Sequence, residues 1–331
     1  MLKVGLLGAG RIGQLHAGNI AGHPDSRLVA VSDIHEAAAK TLADQFGAAV
    51  KTSEQIIADT DIDAVLIATS TDTHSELIEA ATAAGKAVLC EKPVDLSLER
   101  ARQCQTQAAA TGQPVMIGFN RRFDPNFAAV KTALQAGEIG KPELLSVTSF
   151  DPAPPPVSYV KVSGGLFRDM MIHDFDMANF IMADAPVTVQ ATGSCLVNPE
   201  IGAAGDVDTA AVILSYADGR IAVIKNSRRA AYGYDQRVEL LGSDGLLQAQ
   251  NMLENTVVKS TADGVTGAKP TYFFLERYMP AYKEEWAQFV AAALHQSAMP
   301  VTLDDGVAAL AMAEAATLSA AENRPVRLAE V

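Results

Sequence analysis

The stretch GLFRDMMIHDFDMA (165–178) spaces its Leu, Phe, Met and Ile residues as a buried helix does, yet it carries Asp169, His173 and Asp176. On one helix, positions i, i+4 and i+7 share a face. An acid, an imidazole and a second acid in line open three kinds of chemistry. The trio could ligate a metal, it could move a proton through an imidazole that titrates near neutrality, or it could be a polar patch satisfied within a core. No other His or Cys stands at the short spacing that would support zinc. Asp174 falls on another face, where a satisfied core contact is the simpler reading.

A second group of residues lies near the start of the chain. Gly8-Ala9-Gly10-Arg11-Ile12-Gly13 matches GxGxxG after a short apolar run and opens a helical pattern. In that context Gly8 permits a tight turn, Gly10 lets the backbone approach a pyrophosphate at a helix N-terminus, and Gly13 lets helix and strand pack closely. Asp33 ends the next apolar run, where an acid holds the adenosine ribose of NAD and repels the 2′-phosphate of NADP. Arg11 leaves some use of NADP open, since it could lie on the pyrophosphate, on the adenine or near a 2′-phosphate. Thr69-Ser70-Thr71 and Cys90-Glu91-Lys92-Pro93 end two later apolar runs. Ligands of open α/β sheets sit at such carboxyl ends, so Glu91 and Lys92 are expected to point to the nicotinamide region.

The elements that must position these residues follow from periodicity. Runs at 3–7, 27–32, 64–69, 87–90 and 114–119 read as strands, and 12–21, 36–46, 74–84 and 98–110 as helices, with Gly85 and Gly112 where C-caps favour glycine. Strand–helix alternation means βαβ units on a doubly wound parallel (Rossmann) sheet. After about residue 120 the pattern changes. A helix is expected over 125–136, a strand over 143–150, the loop DPAPPP (151–156), and then the polar helix as a single element. From 187 to about 258 the chain reads as β, with ADG and SDG as hairpin turns. Two helices close it, over 277–294 and 304–321. The expectation is a Rossmann domain over 1–120 and, over 121–331, an α+β domain with a large, mostly antiparallel, open-faced sheet.

Composition narrows the classes. The 331 residues carry a net charge of −13, and 49% are hydrophobic. Nucleic acid and anionic membranes are repelled by such a balance on average, which suits a neutral substrate. No apolar window approaches the length of a membrane helix, and MLKVGLLGAG reads as a buried strand rather than a signal peptide. Cys90, Cys104 and Cys195 form no CxxC pair, which argues against a disulfide framework and a Cys-based metal site. These readings predict a cytoplasmic protein that binds neither nucleic acid nor membrane and holds no metal.

GxGxxG, Asp33, EKP and a GG-x4-D-x3-H segment together resemble the Gfo/Idh/MocA oxidoreductases over essentially the whole chain. Within that family the blocks GFNRRFDPNF (118–127), 151–178 and NSRRAAYGYDQRVE (226–239) are similar to bacterial myo-inositol 2-dehydrogenases. The resemblance implies NAD as cofactor, a cyclic polyol substrate oxidised to a 2-keto-inositol, and a homotetramer formed through the second domain's sheet. It implies that Lys92, Asp169 and His173 are catalytic. Gly8 to Gly13, Asp33, Ile34, Thr69, Ser70, Thr71, His74, Glu91 and Lys92 would hold the cofactor. The substrate would be met by Lys92, Asn120, Arg122 (or its neighbour Arg121), Asp169, His173, Asp176 and Tyr232. The chemistry fits: alcohol oxidation needs a base for the hydroxyl proton, and Asp169 would orient His173 while Lys92 donates to the developing alkoxide. Oxidation of another inositol isomer or a pyranose, a non-catalytic NAD-binding regulator, and a protein-interaction module using DPAPPP are the competing expectations.

Overall fold

The computed structural model describes residues 1–331. Its backbone divides into two units, one formed by residues 1–120 and 282–308, the other by 121–281 and 309–331. The expected division at residue 120 therefore holds only for the outgoing chain. Residues 282–308 are built into the first unit, because Trp286 donates from Nε1 to Ser26 Oγ (3.0 Å) and Ile117 N donates to Val301 O.

The first unit runs β1 (Leu2–Leu7), α1 (Arg11–Gly22), β2 (Ser26–Ser32), α2 (Glu36–Phe46), β3 (Ala49–Val50), α3 (Ser53–Ala58), β4 (Ala64–Ile67), α4 (His74–Ala83), β5 (Ala87–Glu91), α5 (Leu98–Thr111) and β6 (Val115–Gly118). The strands form one parallel sheet in the order β3-β2-β1-β4-β5-β6. All four residues of β4 and of β6 are buried, as strands covered on both faces must be. Helix ends are set by local chemistry. Ser97 Oγ accepts from Arg100 N at the start of α5, Gly112 closes it at φ 69°, and Thr52 with Gln55 makes a reciprocal cap on α3.

The second unit adds α6 (Pro125–Gln135), β7 (Pro142–Phe150), α7 (Val157–Val160), α8 (Gly165–Asp169), α9 (Ile172–Met182), β8 (Thr188–Ser194), α10 (Pro199–Ala203), β9 (Thr209–Ser215), β10 (Ile221–Ser227), β11 (Asp235–Gly242), β12 (Gly245–Ala249), and the hairpin β13 (Val258–Thr261) and β14 (Gly264–Gly267). Helices α11 (Phe274–His295) and α12 (Leu303–Glu322) each contribute to both units, and β15 (Val326–Arg327) ends the chain's regular structure. Seven strands form the second sheet, β12-β11-β7-β10-β9-β8-β15, in which only β7 and β10 pair in parallel. Its strands alternate. Val212, Leu214, Ala222, Ile224, Val238 and Leu240 are buried, while Leu144, Ile213, Ile221, Leu241 and Leu246 stay exposed on the other face. Each buried branched side chain contributes roughly 1.5–3 kcal/mol, which fixes the register against a one-residue slip.

The polar segment is not the single helix its spacing predicts. α8 stops at Asp169 and α9 starts at Ile172. Between them Met170 N and Met171 N both donate to Leu166 O (3.0 and 2.9 Å), so the second of these bonds reaches back five residues and interrupts the ladder. Gly164 and Gly165, at φ 84° and 83°, turn the chain into α8, and Asp206 Oδ1 accepts from Leu166 N at 2.9 Å. A Cβ on Gly165 would lie 2.8 Å from that Asp206 oxygen.

Candidate active site

In the first unit, the expected cofactor residues gather at the carboxyl ends of the parallel strands. Gly8, at φ 101°, donates from its N–H to Ser32 O, and a Cβ there would lie 2.3 Å from Ala68 O. A Cβ on Gly13 would lie 2.0 Å from Gly8 O, so both positions exclude any side chain. Gly10 differs: a Cβ there meets nothing within 4 Å. It begins α1, whose first turn has neither a side-chain cap nor an acidic residue. Gly10 thus leaves space over an uncapped first turn, the setting in which a helix N-terminus takes an anion. Asp33 braces the same loop, accepting from Ala9 N at Oδ2 and from His35 N at Oδ1, both 2.7 Å. Ile34 beside it is 95% exposed, an apolar side chain with nothing over it. Arg11 is exposed and Ile12 half-buried.

At the end of β4, Thr69 and Thr73 share a hydroxyl hydrogen bond of 2.7 Å, while Ser70 is exposed and Thr71 half-buried. His74 is buried, with Nδ1 2.8 Å from Pro93 O and Nε2 3.2 Å from Thr69 O. Burial lowers its pKa against the pull of those two carbonyls. Its geometry thus ties the Thr69 turn to the loop that follows Lys92. Glu91 places Oε1 2.8 Å from Nε2 of the buried His16, and Lys92 beside it is half-buried. Asn120 is buried, and its Nδ2 has no partner.

In the second unit, His173 is the one side chain between Met170 and Ala178 that is not buried. Asp169 is half-buried and held from two sides: Tyr159 donates its hydroxyl to Oδ1 (2.8 Å) and Arg228 donates from Nη2 to Oδ2 (3.2 Å). Asp174 is fully buried and accepts from Arg121 (2.6 Å), Ser149 (2.6 Å) and Asn226 (2.7 Å), so the adjacent Arg121 is committed to the core. Asp176 is also fully buried, and Arg122 donates to both its oxygens with a closest approach of 2.5 Å. That ion pair accounts for a carboxylate and a guanidinium that the sequence offered as polyol contacts. Tyr232 is exposed and donates to Asp235 Oδ2 (2.5 Å); partial burial and that bond push its hydroxyl up to about 12.

Pattern reading missed three residues around Asp169. Tyr159 and Arg228 reach it from 10 and 59 residues away. Asp151 is the third. Burial, with help from the Asp169 and Asp174 charges and against Arg228 and Arg121, pushes its carboxyl up to about 6. Its backbone is fixed by bonds to Ser227 and Ala230, which anchors DPAPPP as the connection from β7 to α7. The pairing of 151 with the NSRRA block was the available signal, since both belong to the blocks that carry the family resemblance.

The sequence also matches two family profiles, an oxidoreductase family with an NAD-binding Rossmann fold over residues 2–119 and the GFO/IDH/MocA C-terminal domain over 127–248. The chain belongs to the GFO/IDH/MocA oxidoreductase family. It is 49% identical over 328 residues to an inositol 2-dehydrogenase of Rhizobium meliloti, covering 99% of both chains. A solved myo-inositol dehydrogenase from Corynebacterium glutamicum superposes with a TM-score of 0.95 at 43% identity, over 99% of each chain. A scyllo-inositol dehydrogenase from Lactobacillus casei, solved with NAD(H) and scyllo-inositol, superposes at 0.93 with 31% identity, again over 99% of each.

The first unit is therefore the family's NAD-binding domain, and its residues fit that group. The uncapped turn at Gly10 and Arg11 suits the pyrophosphate, Asp33 retains lone pairs for the ribose, and Ile34 offers an uncovered apolar surface for the adenine. No helix is long and apolar enough to cross a membrane.

Proposed function

We propose that this chain oxidises a cyclic polyol, myo-inositol, at one secondary hydroxyl to 2-keto-myo-inositol (scyllo-inosose) with NAD. The observation that carries the reading is His173, the one half-buried side chain on a buried stretch, four residues after an Asp169 clamped by Tyr159 and Arg228. NAD, when bound, supplies the hydride acceptor. His173 takes the hydroxyl proton. Asp169, fixed in place by its two donors, orients the imidazole and stabilises its charged form. Lys92 donates to the substrate oxygen as alkoxide character develops. Asn120, with its free Nδ2 donor, and Tyr232 would hold further hydroxyls, and the Arg122–Asp176 pair keeps α9 seated in the second unit.

The relatives named for myo- and scyllo-inositol support the substrate class, and the scyllo-inositol enzyme favours that isomer as the second reading. The test is NADH formation from NAD with myo-inositol, scyllo-inositol and a pyranose sugar side by side. Turnover with myo-inositol at the highest kcat/KM supports the proposal, and no NADH with any of them refutes it. The open face of the second sheet, with Leu144, Ile213, Ile221, Leu241 and Leu246, would associate a homotetramer, which sedimentation tests. Three free cysteines and a soluble cofactor agree with a cytoplasmic enzyme.

A further inference from the structure

Behind the strand end that carries Glu91 and Lys92, a group of buried polar atoms has no partners. Helices α1 and α11 meet through their side chains. The rings of His16 and Tyr282 meet edge-on at 5.7 Å, and Trp286 Nε1 reaches Ser26 Oγ, which in turn donates to Ile20 O. Asn19 and Glu285 follow three residues after His16 and Tyr282, on the same sides of their helices as that ring contact. Glu285 is fully buried and neither of its carboxyl oxygens has a hydrogen-bond partner. His16 Nδ1 and Asn19 Nδ2 are equally unpartnered. Native interiors rarely leave such groups unmatched, and these three belong to the two helices that meet at His16 and Tyr282.

Their types are complementary under one condition. His16 Nε2 lies 2.8 Å from Glu91 Oε1. With the proton on Nε2, that atom donates to the Glu91 carboxylate, and Nδ1 is left as an acceptor. A protonated Glu285 offers an O–H to Nδ1 and a carbonyl oxygen to Asn19 Nδ2. An ionised Glu285 would offer nothing to Nδ1 and would stand as an unpaired charge in the interior. The Glu91 charge on β5 bears on it, and His16 on α1 and Tyr282 on its own helix are the titratable groups at the same helix contact. Burial first, and the Glu91 charge second, push the Glu285 carboxyl well above the ordinary range.

We propose that Glu285, His16 and Glu91 form a buried acid–imidazole–carboxylate relay beside Lys92, in which Glu285 holds a proton that it can pass to Glu91. In the transfer the Glu285 O–H bond breaks as Nδ1–H forms, directly or through one bridging water, and the Nε2–H bond breaks as O–H forms on Glu91. His16 begins and ends neutral, and one negative charge moves from Glu91 to Glu285. Glu91 can thereby lose its charge next to Lys92 with no proton drawn from solvent. Glu285 is thus a positioning residue that sets the charge beside Lys92. This effect rests on the reading that Lys92 acts on the substrate oxygen, whereas the relay itself does not.

The test uses the full-length protein. Infrared spectra at pH 8 should show a protonated carboxylic acid that Glu285→Gln removes, and ¹⁵N NMR should show His16 as the neutral Nε2–H tautomer. Glu285→Gln keeps the hydrogen bonds but has no acidic proton, so NAD affinity and polyol KM should be unchanged while kcat falls at least about tenfold. An ionised Glu285 or a His16 proton on Nδ1 in the wild-type protein overturns the relay, and an unchanged kcat in a variant whose wild-type parent turns over overturns its effect on Lys92. If the wild-type protein oxidises no polyol, the proposed function fails, and the two spectra still decide the relay.

Discussion

Replacing Glu285 by Gln should stabilise the folded protein at neutral pH. An acid held neutral by burial has its folded pKa raised above the ordinary value of 4.5. Above that value the unfolded chain has released the proton and the folded chain keeps it, so stability falls as pH rises. The penalty is absent below the unfolded pKa and grows by about 1.4 kcal/mol per pH unit while the folded acid stays protonated. Between pH 5 and pH 7 that amounts to about 3 kcal/mol, which Gln removes because it never ionises. The chain's single tryptophan, Trp286, is buried next to Glu285 in the first unit, so its fluorescence follows the relevant unfolding. Urea titrations at pH 4.5, 5.5 and 7 should give nearly equal midpoints at the lowest pH and a widening advantage for the variant above it. A variant less stable at pH 7, or a difference independent of pH, would refute a neutral Glu285. Loss of turnover in the same variant would mark this penalty as the cost of function.

Gly13→Ala drives a Cβ to 2.0 Å from a backbone oxygen, so NAD affinity should fall more than tenfold with a loss of about 1–3 kcal/mol of stability, read by cofactor titration and thermal melting. Asp33→Ser removes the carboxylate that accepts from Ala9 and His35 and repels a 2′-phosphate, and the ratio of kcat/KM for NAD over NADP should drop by at least about tenfold. Asp174→Asn leaves Arg121 buried without its anion and should cost about 3–5 kcal/mol in denaturant unfolding. Burial pushes the Asp151 carboxyl up to about 6, so the acid limb of the kcat/KM profile should contain a step there that Asp151→Asn abolishes.

The nucleotide-binding fold was legible because its signals are local. A strand, three glycines, a helix start and Asp33 lie within one βαβ unit, and their spacing alone carries the geometry. The substrate half was legible in part. The pattern of 165–178 marked Asp174 as a core contact, which its bonds to Arg121, Ser149 and Asn226 explain. It could not show the interruption at Met170 and Met171, because a backward bond of five residues leaves the apolar spacing unchanged. Nor could it show that Asp176 belongs to Arg122, since that partner lies 54 residues away. Glu285 is the extreme case. In sequence it is one acid on an amphipathic helix, and only the return of 282–308 to the first unit brings it there, three residues after the Tyr282 that meets His16. Long-range pairing, rather than local propensity, decided each of these.

The most direct test of the central claim follows one atom. Myo-inositol deuterated at C2, incubated with NAD and the protein, should yield NADH carrying the deuterium at the nicotinamide C4, seen by ¹H NMR together with the 2-keto product. His173→Ala should abolish that transfer while leaving NAD binding intact. Deuterium retained in the polyol, or undiminished transfer by the His173 variant, would contradict the account.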